Sequence, residues 1–266
     1  MPTLKIGASQ LYFETRGRGI PLVFAHGVGG NHASWFHQIA ELSPRFCTVV
    51  FDHRGFGNST DVEELGRAAF VTDLKALFDT LQIPKAVLIG QSMGAGTCVG
   101  FACDHPERVH ALVLADSLVG MSVPAELRER MQEVEKRTAN LSQLERVLGD
   151  TTRRERQAVA ELYTQLASFN RTNLRTLRGQ MRARTAEELA ATGLPALFVV
   201  GEEDILFPPE LVRIFQARVP RSELAEIARA GHSAFYEAPA AFNAVVVRWL
   251  ASIGIDSNLS NLGVNH

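Results

Sequence analysis

Residues 86–96 read Ala-Val-Leu-Ile-Gly-Gln-Ser-Met-Gly-Ala-Gly, a short apolar run followed at once by a serine between glycines. The apolar run predicts a buried strand, and the small residues that open Met93–Asp104 predict the start of a helix. A serine in a tight turn between strand and helix adopts a strained conformation that exposes its hydroxyl, and only small neighbours fit there. The stretch therefore predicts a strand–turn–helix unit that presents Ser92 as a nucleophile. A glycine-rich turn that merely joins a strand to a helix is the alternative.

The same turn predicts how negative charge on a substrate would be stabilised. The backbone N–H of Met93 lies at the predicted helix N-terminus, where the helix dipole favours an oxyanion. A second donor is expected from residues 26–30, His-Gly-Val-Gly-Gly, which follow the apolar run Leu22–Ala25 and let the backbone approach a ligand. We therefore expect an oxyanion hole formed by the N–H groups of Val28 and Met93. His26 is expected to fix the loop by hydrogen bonding rather than to transfer a proton.

Apolar runs recur along the chain, with helix-length segments between most of them. Two alternating segments, 3–6 and 11–16, predict an opening hairpin. Further strands are predicted at Leu22–Ala25, Cys47–Phe51, Ala86–Gly90, Val109–Ala115, Ala196–Gly201 and Glu223–Ile227. Helices are predicted between them at Ala33–Leu42, Arg67–Leu81, Met93–Asp104, Glu210–Val219 and Ala240–Ser252. This alternation predicts an α/β fold with a central, mostly parallel sheet of eight strands flanked by helices.

One long interval interrupts the alternation and suggests how the chain is organised. Residues 117–192 show no convincing strand but contain helical stretches at 124–138, 142–148 and 155–169. We interpret 117–192 as a helical cap insertion on a core domain formed by 1–116 and 193–252, with 253–266 as a flexible C-terminal tail. The insertion holds 13 of the 27 Lys and Arg and 10 of the 29 Asp and Glu, a net charge of +3. Interleaved charges are typical of a solvated helix surface, and an entrance that attracts anions is the alternative.

The composition argues against several classes of protein. The 266 residues are 46% hydrophobic and 21% charged, which favours one large globular domain over disorder or a fibre. A net charge of -2 without a basic stripe predicts no nucleic-acid partner. The apolar runs are far shorter than the roughly 20 residues that span a bilayer, and the N-terminus lacks an export signal, so no membrane association is expected. Cys47, Cys98 and Cys103 form no metal-type cluster and are predicted to be reduced thiols in a cytoplasmic protein.

Taken together, these motifs resemble the α/β-hydrolase fold family, with matches from about residue 20 to 250. Beside residues 26–30 and 90–94, the segment 52–59, Asp-His-Arg-Gly-Phe-Gly-Asn-Ser, resembles the family's D-x-R-G-x-G-x-S turn. The role of that turn in the family is chiefly structural. The resemblance therefore implies buried pairing of Asp52 or Arg54 with the backbone rather than a part in catalysis.

The resemblance also implies the partners of the serine, because the family orders its catalytic residues as nucleophile, acid and histidine. His232 occupies the family's histidine position, before the last helix, and would act as general base. Asp204, in the loop after a predicted strand, would accept the Nδ1–H of that histidine and hold its orientation. Glu202 and Glu203 fit the family offset less well. Asp116 is a further alternative, because some relatives place the acid after the preceding strand.

The implied chemistry is acyl transfer, in which Ser92 attacks a carbonyl and water then hydrolyses the acyl-enzyme. A serine nucleophile argues against the haloalkane dehalogenase and epoxide hydrolase branches, which need a carboxylate. We expect a serine hydrolase that cleaves a small carboxylic ester or lactone and needs neither a metal nor an organic cofactor. A carbon–carbon bond hydrolase or a cofactor-free perhydrolase would use the same triad, and a small-molecule receptor with slow turnover is an alternative of another class. The sequence leaves a homo-oligomer open.

Overall fold

The computed structural model describes residues 2–256. One sheet contains eight strands: β1 Thr3–Ile6, β2 Ser9–Arg16, β3 Pro21–Ala25, β4 Cys47–Phe51, β5 Ala86–Gln91, β6 Val109–Ala115, β7 Ala196–Gly201 and β8 Ser222–Ile227. Their order across the sheet is β1-β2-β4-β3-β5-β6-β7-β8. The β1–β2 and β2–β4 pairs are antiparallel, and every later pair is parallel. The predicted α/β fold with a mostly parallel sheet of eight strands is confirmed.

The helices flank the sheet or lie within residues 117–192. They are α1 Phe36–Leu42, α2 Phe70–Thr80, α3 Met93–Asp104, α4 Ala125–Thr138, α5 Gln143–Val147, α6 Asp150–Glu155, α7 Gln157–Ser168, α8 Ala186–Ala191, α9 Pro209–Gln216, α10 Ala234–Glu237 and α11 Pro239–Ser252. The helices predicted at Ala33–Leu42 and Arg67–Leu81 begin as 3-10 turns, His32–Trp35 before α1 and Gly66–Ala69 before α2. Sequence periodicity did not reveal α8 and α10, because helices of six and four residues are too short to show a repeat.

Both faces of the sheet are buried, as expected for parallel strands. Successive residues of β5 point to opposite faces: Leu88 packs into the apolar core that includes α2 and α3, whereas Val87 and Ile89 pack into the core that includes α1 and α11. The carboxyl ends of the parallel strands therefore meet along one edge between two rigid layers. Loops at such an edge are the usual place for a ligand site in an open α/β sheet.

Residues 117–192 contain helices α4 to α8, and their only β pairing among the described residues is an isolated bridge between Met121 and Arg184. The guanidinium of Arg184 lies 2.5 Å from a carboxylate oxygen of Asp104, at the end of α3. The division into core, cap and tail stays a prediction. Residues 257–266 of the predicted tail lie outside the described residues.

The segment 52–59 follows β4 and holds two buried ionic side chains. Asp52 accepts hydrogen bonds from the backbone N–H groups of His32 and Asn58, at 2.6 and 2.8 Å, as expected for a structural residue. Arg54 differs from the expectation of a backbone partner: two of its nitrogens each lie 2.6 Å from the buried carboxylate of Asp73 in α2. This bidentate pair joins the segment to α2.

Two fully buried histidines fix the loop after β3. His26 Nδ1 lies 2.8 Å from the carbonyl oxygen of Gly27 and must donate to it, so that Nε2 accepts the backbone N–H of His53 at 3.0 Å. His53 Nε2 lies 3.0 Å from the hydroxyl of Thr97 in α3. Burial lowers the pKa of both histidines, and the neighbouring His26 lowers the pKa of His53 further. His26 is thus placed to hold the loop, the role expected for it.

The neutral state of His53 predicts that acid destabilises the fold. As the pH falls below 6.5, the ordinary pKa of histidine, His53 binds a proton in the unfolded chain but stays neutral in the folded protein. The stabilisation is complete above that pH and is lost as the pH falls toward the folded-state pKa. We expect His53→Gln to remove up to about 1.4 kcal/mol per pH unit from the pH dependence of the unfolding free energy between roughly pH 6 and pH 5.

Urea denaturation of the wild type and the variant at these two pH values measures the difference. A third pair of measurements near pH 8, where histidines are neutral in both states, gives the pH-independent cost of the substitution. Equal slopes for the two proteins would contradict the prediction.

Candidate active site

Ser92 occupies the turn between β5 and α3 with φ 51° and ψ −117°. Its backbone N–H donates to the carbonyl of Ala115 in β6 at 3.0 Å. A Cβ atom at Gly90 would lie 2.5 Å from the carbonyl oxygen of Gly94, and one at Gly94 would lie 2.0 Å from that of Ala25. The glycines on both sides of Ser92 are therefore required, because neighbouring backbone passes too close for any side chain.

Three of the predicted site residues form a chain of hydrogen bonds. His232 Nε2 lies 2.9 Å from Ser92 Oγ, and His232 Nδ1 lies 3.0 Å from Asp204 Oδ2. The other oxygen of Asp204 accepts the backbone N–H groups of Leu206 and Phe207, at 2.8 and 3.0 Å. With the carboxylate accepting Nδ1–H, the lone pair of Nε2 faces the serine hydroxyl. This tautomer allows His232 to take the proton of Ser92.

The other candidates for the acid have different partners. Asp116 is fully buried, and its two oxygens accept the N–H groups of Gly201 and Ala234 at 2.9 and 3.0 Å. Burial, and next the negative charge of Asp204, raise the pKa of Asp116 well above its usual value. Glu203 accepts the backbone N–H of Thr151 at 2.8 Å. Within residues 2–256, Asp204 is the only carboxylate paired with the His232 ring.

Two supporting residues escaped the sequence analysis. The side-chain amide of Gln91 donates to the carbonyl of His232 at 2.6 Å. Glu237, 2% exposed, accepts the N–H groups of Gly231 and Gly149 at 2.8 Å each, and burial raises the pKa of its carboxyl. The sequence offers only their positions as signals: Gln91 directly precedes the serine, and Glu237 ends the short helix α10 that follows the histidine.

The loop after β3 passes directly against the serine. A Cβ atom at Gly27 would lie 2.1 Å from the side-chain oxygen of Gln91 and 3.0 Å from Ser92 Cβ. Gly29 has φ 91°, a conformation that favours glycine. Val28 from this loop and Met93 from the start of α3 line one cavity together with Ser92. Their assignment as oxyanion donors stays a prediction.

That cavity has a volume of about 310 Å³. The apolar side chains that line it are Val28, Met93, Val119, Met131, Val134, Ala139, Val147, Leu174, Leu206 and Phe207, and the polar ones besides Ser92 and His232 are Arg67, Glu135, Thr138, Gln143 and Arg146. Helices α4 and α5 therefore supply much of the cavity wall. The ring of Phe207 stacks on that of His232, with centroids 5.6 Å apart.

Two absences in the described part of the chain concern metal binding and membrane insertion. Residues 2–256 contain no group of three or more metal-ligating side chains. No helix among them is long and apolar enough to cross a membrane.

Known proteins resemble this chain in sequence and in fold. Residues 20–239 match the family model of the α/β hydrolase fold. The AB hydrolase superfamily protein YisY of Bacillus subtilis is 28% identical over 258 residues, which cover 90% of this chain and 94% of that protein. Two solved structures are also similar. A thermophilic esterase from Thermogutta terrifontis has a TM-score of 0.77 and 26% identity, with 95% of this chain and 99% of that chain covered.

The second structure is Est816, described as an N-acyl homoserine lactone degrading enzyme. It has a TM-score of 0.76 and 25% identity, with 92% of this chain and 98% of that chain covered. The likenesses thus extend over nearly the whole chain and include the segments that hold Ser92, Asp204 and His232. The chain belongs to the α/β-hydrolase fold family, which confirms the sequence-based predictions of that family and of a hydrolase.

Proposed function

We propose that this protein is a serine hydrolase that cleaves a small carboxylic ester or lactone through an acyl-enzyme on Ser92. The observation that carries the proposal is the hydrogen-bonded chain from Ser92 through His232 to Asp204, at the wall of a mostly apolar cavity. The similar structures named as an esterase and a lactone-degrading enzyme support the same class of reaction.

The reaction would proceed in two halves. His232 takes the proton of Ser92 as its oxygen attacks the substrate carbonyl, and Asp204 stabilises the imidazolium that forms. The N–H groups of Val28 and Met93 would hold the oxyanion of the tetrahedral intermediate. The protonated histidine then gives its proton to the departing alkoxide, and water activated by the same histidine hydrolyses the acyl-enzyme. The side chains act without a metal or organic cofactor.

In this proposal residues 117–192 act as a cap. Helices α4 and α5 contribute Met131, Val134 and Val147 to the wall of the cavity that Ser92 also lines. Substrate would enter between this segment and the core, and the mostly apolar lining would bind its hydrocarbon part. A volume of about 310 Å³ lies near the lower end of ordinary ligand pockets, which favours a small substrate.

A serine-directed phosphonate tests the nucleophile without knowledge of the substrate. We expect one covalent adduct per chain on Ser92, detected by intact mass and peptide mapping. Ser92→Ala should abolish the adduct, and His232→Ala should slow its formation by about 10⁴-fold, because the hydroxyl is a weak nucleophile without its base. Ser122→Ala removes an exposed serine and serves as the control that should react normally. A folded wild type that stays unlabelled would instead favour a receptor function.

The two buried aspartates predict different effects on the same labelling rate. Asp204→Asn should slow labelling by about 10³–10⁴-fold, because an amide cannot hold the tautomer that leaves Nε2 free. Asp116→Asn removes one acceptor for a backbone N–H and should slow labelling by less than about tenfold. Rates are compared at equal folded fraction, measured by circular dichroism. A larger effect from Asp116→Asn than from Asp204→Asn would exchange the roles given to the two residues.

A further inference from the structure

Arg146, in α5, lines the same cavity as Ser92 and His232. Its Nε atom is buried and has no hydrogen-bond partner within residues 2–256. The ion pairs found among those residues do not include Arg146 either. Within the described chain, the other guanidiniums of residues 117–192, the helical segment, that have no partner are exposed, so that water can satisfy them: those of Arg128, Arg137, Arg171 and Arg175. Arg146 is distinguished by a half-buried position inside the pocket.

The remaining charged groups of the pocket do not neutralise this guanidinium. Glu135 also lines the cavity, but its side chain is exposed and forms no ion pair with Arg146 within the described chain. Arg67 donates to the carbonyl oxygens of Gly179 and Leu177, at 3.2 and 3.4 Å, and forms no ion pair with a carboxylate within the described chain. The cavity wall thus carries two cations and one solvated anion.

The hydrogen bonds of the polar uncharged side chains Thr138 and Gln143 are made to groups other than Arg146. The hydroxyl of Thr138 donates to the carbonyl oxygen of Val134 at 2.8 Å. The side-chain amide of Gln143 donates to the carbonyl oxygen of Val28 at 3.3 Å. Neither residue supplies an acceptor to Arg146 within the described chain. A guanidinium presents five N–H donors and no acceptor, and a buried donor without a partner is costly. A ligand carboxylate, which offers two acceptor oxygens and a negative charge, would satisfy it.

We propose that the substrate of this site is an ester or lactone that carries a carboxylate, and that Arg146 binds that carboxylate. The inference rests on the proposed function and names its substrate class. The apolar wall formed by Val119, Leu174 and Phe207 would bind the hydrocarbon body between the carboxylate and the scissile bond. The cation selects the substrate, while Ser92 and His232 perform the chemistry on it.

Two matched pairs of esters test the proposal. One pair is 4-acetoxybenzoate and its methyl ester, with the carboxylate on the leaving group. The other is phenyl hydrogen adipate and phenyl methyl adipate, with the carboxylate on the acyl side. Each kcat/KM is divided by the hydroxide-catalysed rate of the same compound, which removes differences in intrinsic reactivity. We expect the wild type to prefer the anionic member of at least one pair by about 10–100-fold, mainly through KM.

Variants identify the group responsible for the preference. Arg146→Met should lower kcat/KM for the anionic ester much more than for its neutral partner and so abolish the preference, and Arg146→Lys should retain part of it. Arg154→Met is the matched control. The side chain of Arg154, in the neighbouring helix α6, is 77% exposed, and its removal should leave the preference for the anionic ester unchanged.

The outcomes separate this inference from the proposed function. Equal normalised rates within both wild-type pairs, or a preference that survives Arg146→Met, would overturn the carboxylate site, while hydrolysis of the neutral esters would still support the serine hydrolase. Failure of all four esters together with an unlabelled Ser92 would overturn both.

Discussion

The site depends on one steric constraint, the close passage of backbone around Ser92. The serine adopts a positive φ that is unfavourable for a residue with a side chain, and the carbonyls of Ala25 and Gly94 leave no space for a Cβ at the neighbouring glycines. The turn follows β5 in the middle of the sheet, where β5 is paired with β3 on one side and with β6 on the other. The strain is maintained because the surrounding sheet is too well packed to relax, and the hydroxyl consequently stays exposed to the cavity.

Buried carboxylates then align the separate loops with that turn. Asp116 joins the end of β7 to the start of α10, and Glu237 joins the loop before His232 to Gly149 of the helical segment. Each accepts two or more backbone N–H groups, which compensate part of the cost of burying an anionic group. The end of β7, the loop around His232 and the backbone at Gly149 are thereby joined through hydrogen bonds to these two carboxylates. The geometry between Ser92 and His232 is a result of this arrangement.

The sequence predicted those parts of the structure that depend on local chemistry. Strand runs such as Ala86–Gln91 are short, apolar and bounded by glycine, and the serine turn leaves a fixed spacing of small residues, so both could be recognised. The partners of Gln91 and Glu237 could not, because a hydrogen bond across 88 or 141 residues has no periodic signature. The wall formed by α4 and α5 could not be predicted for the same reason: the sequence gives the charge balance of that segment, but not which of its arginines lines the cavity.

In the proposed site, substrate selection and the chemical step depend on different parts of the chain. The strand edge fixes Ser92, His232 and Asp204 through contacts that do not involve the pocket-facing side chains of α4 and α5. The backbone of Gly149, two residues beyond α5, is held by Glu237, so that α5 has a defined position relative to His232. Side chains on α5, Arg146 among them, can therefore be replaced without disturbing the hydrogen bonds to the serine. In the proposed site, substitutions at pocket-lining positions of the helical segment would therefore alter substrate binding while the hydrogen bonds of Ser92, His232 and Asp204 stay in place.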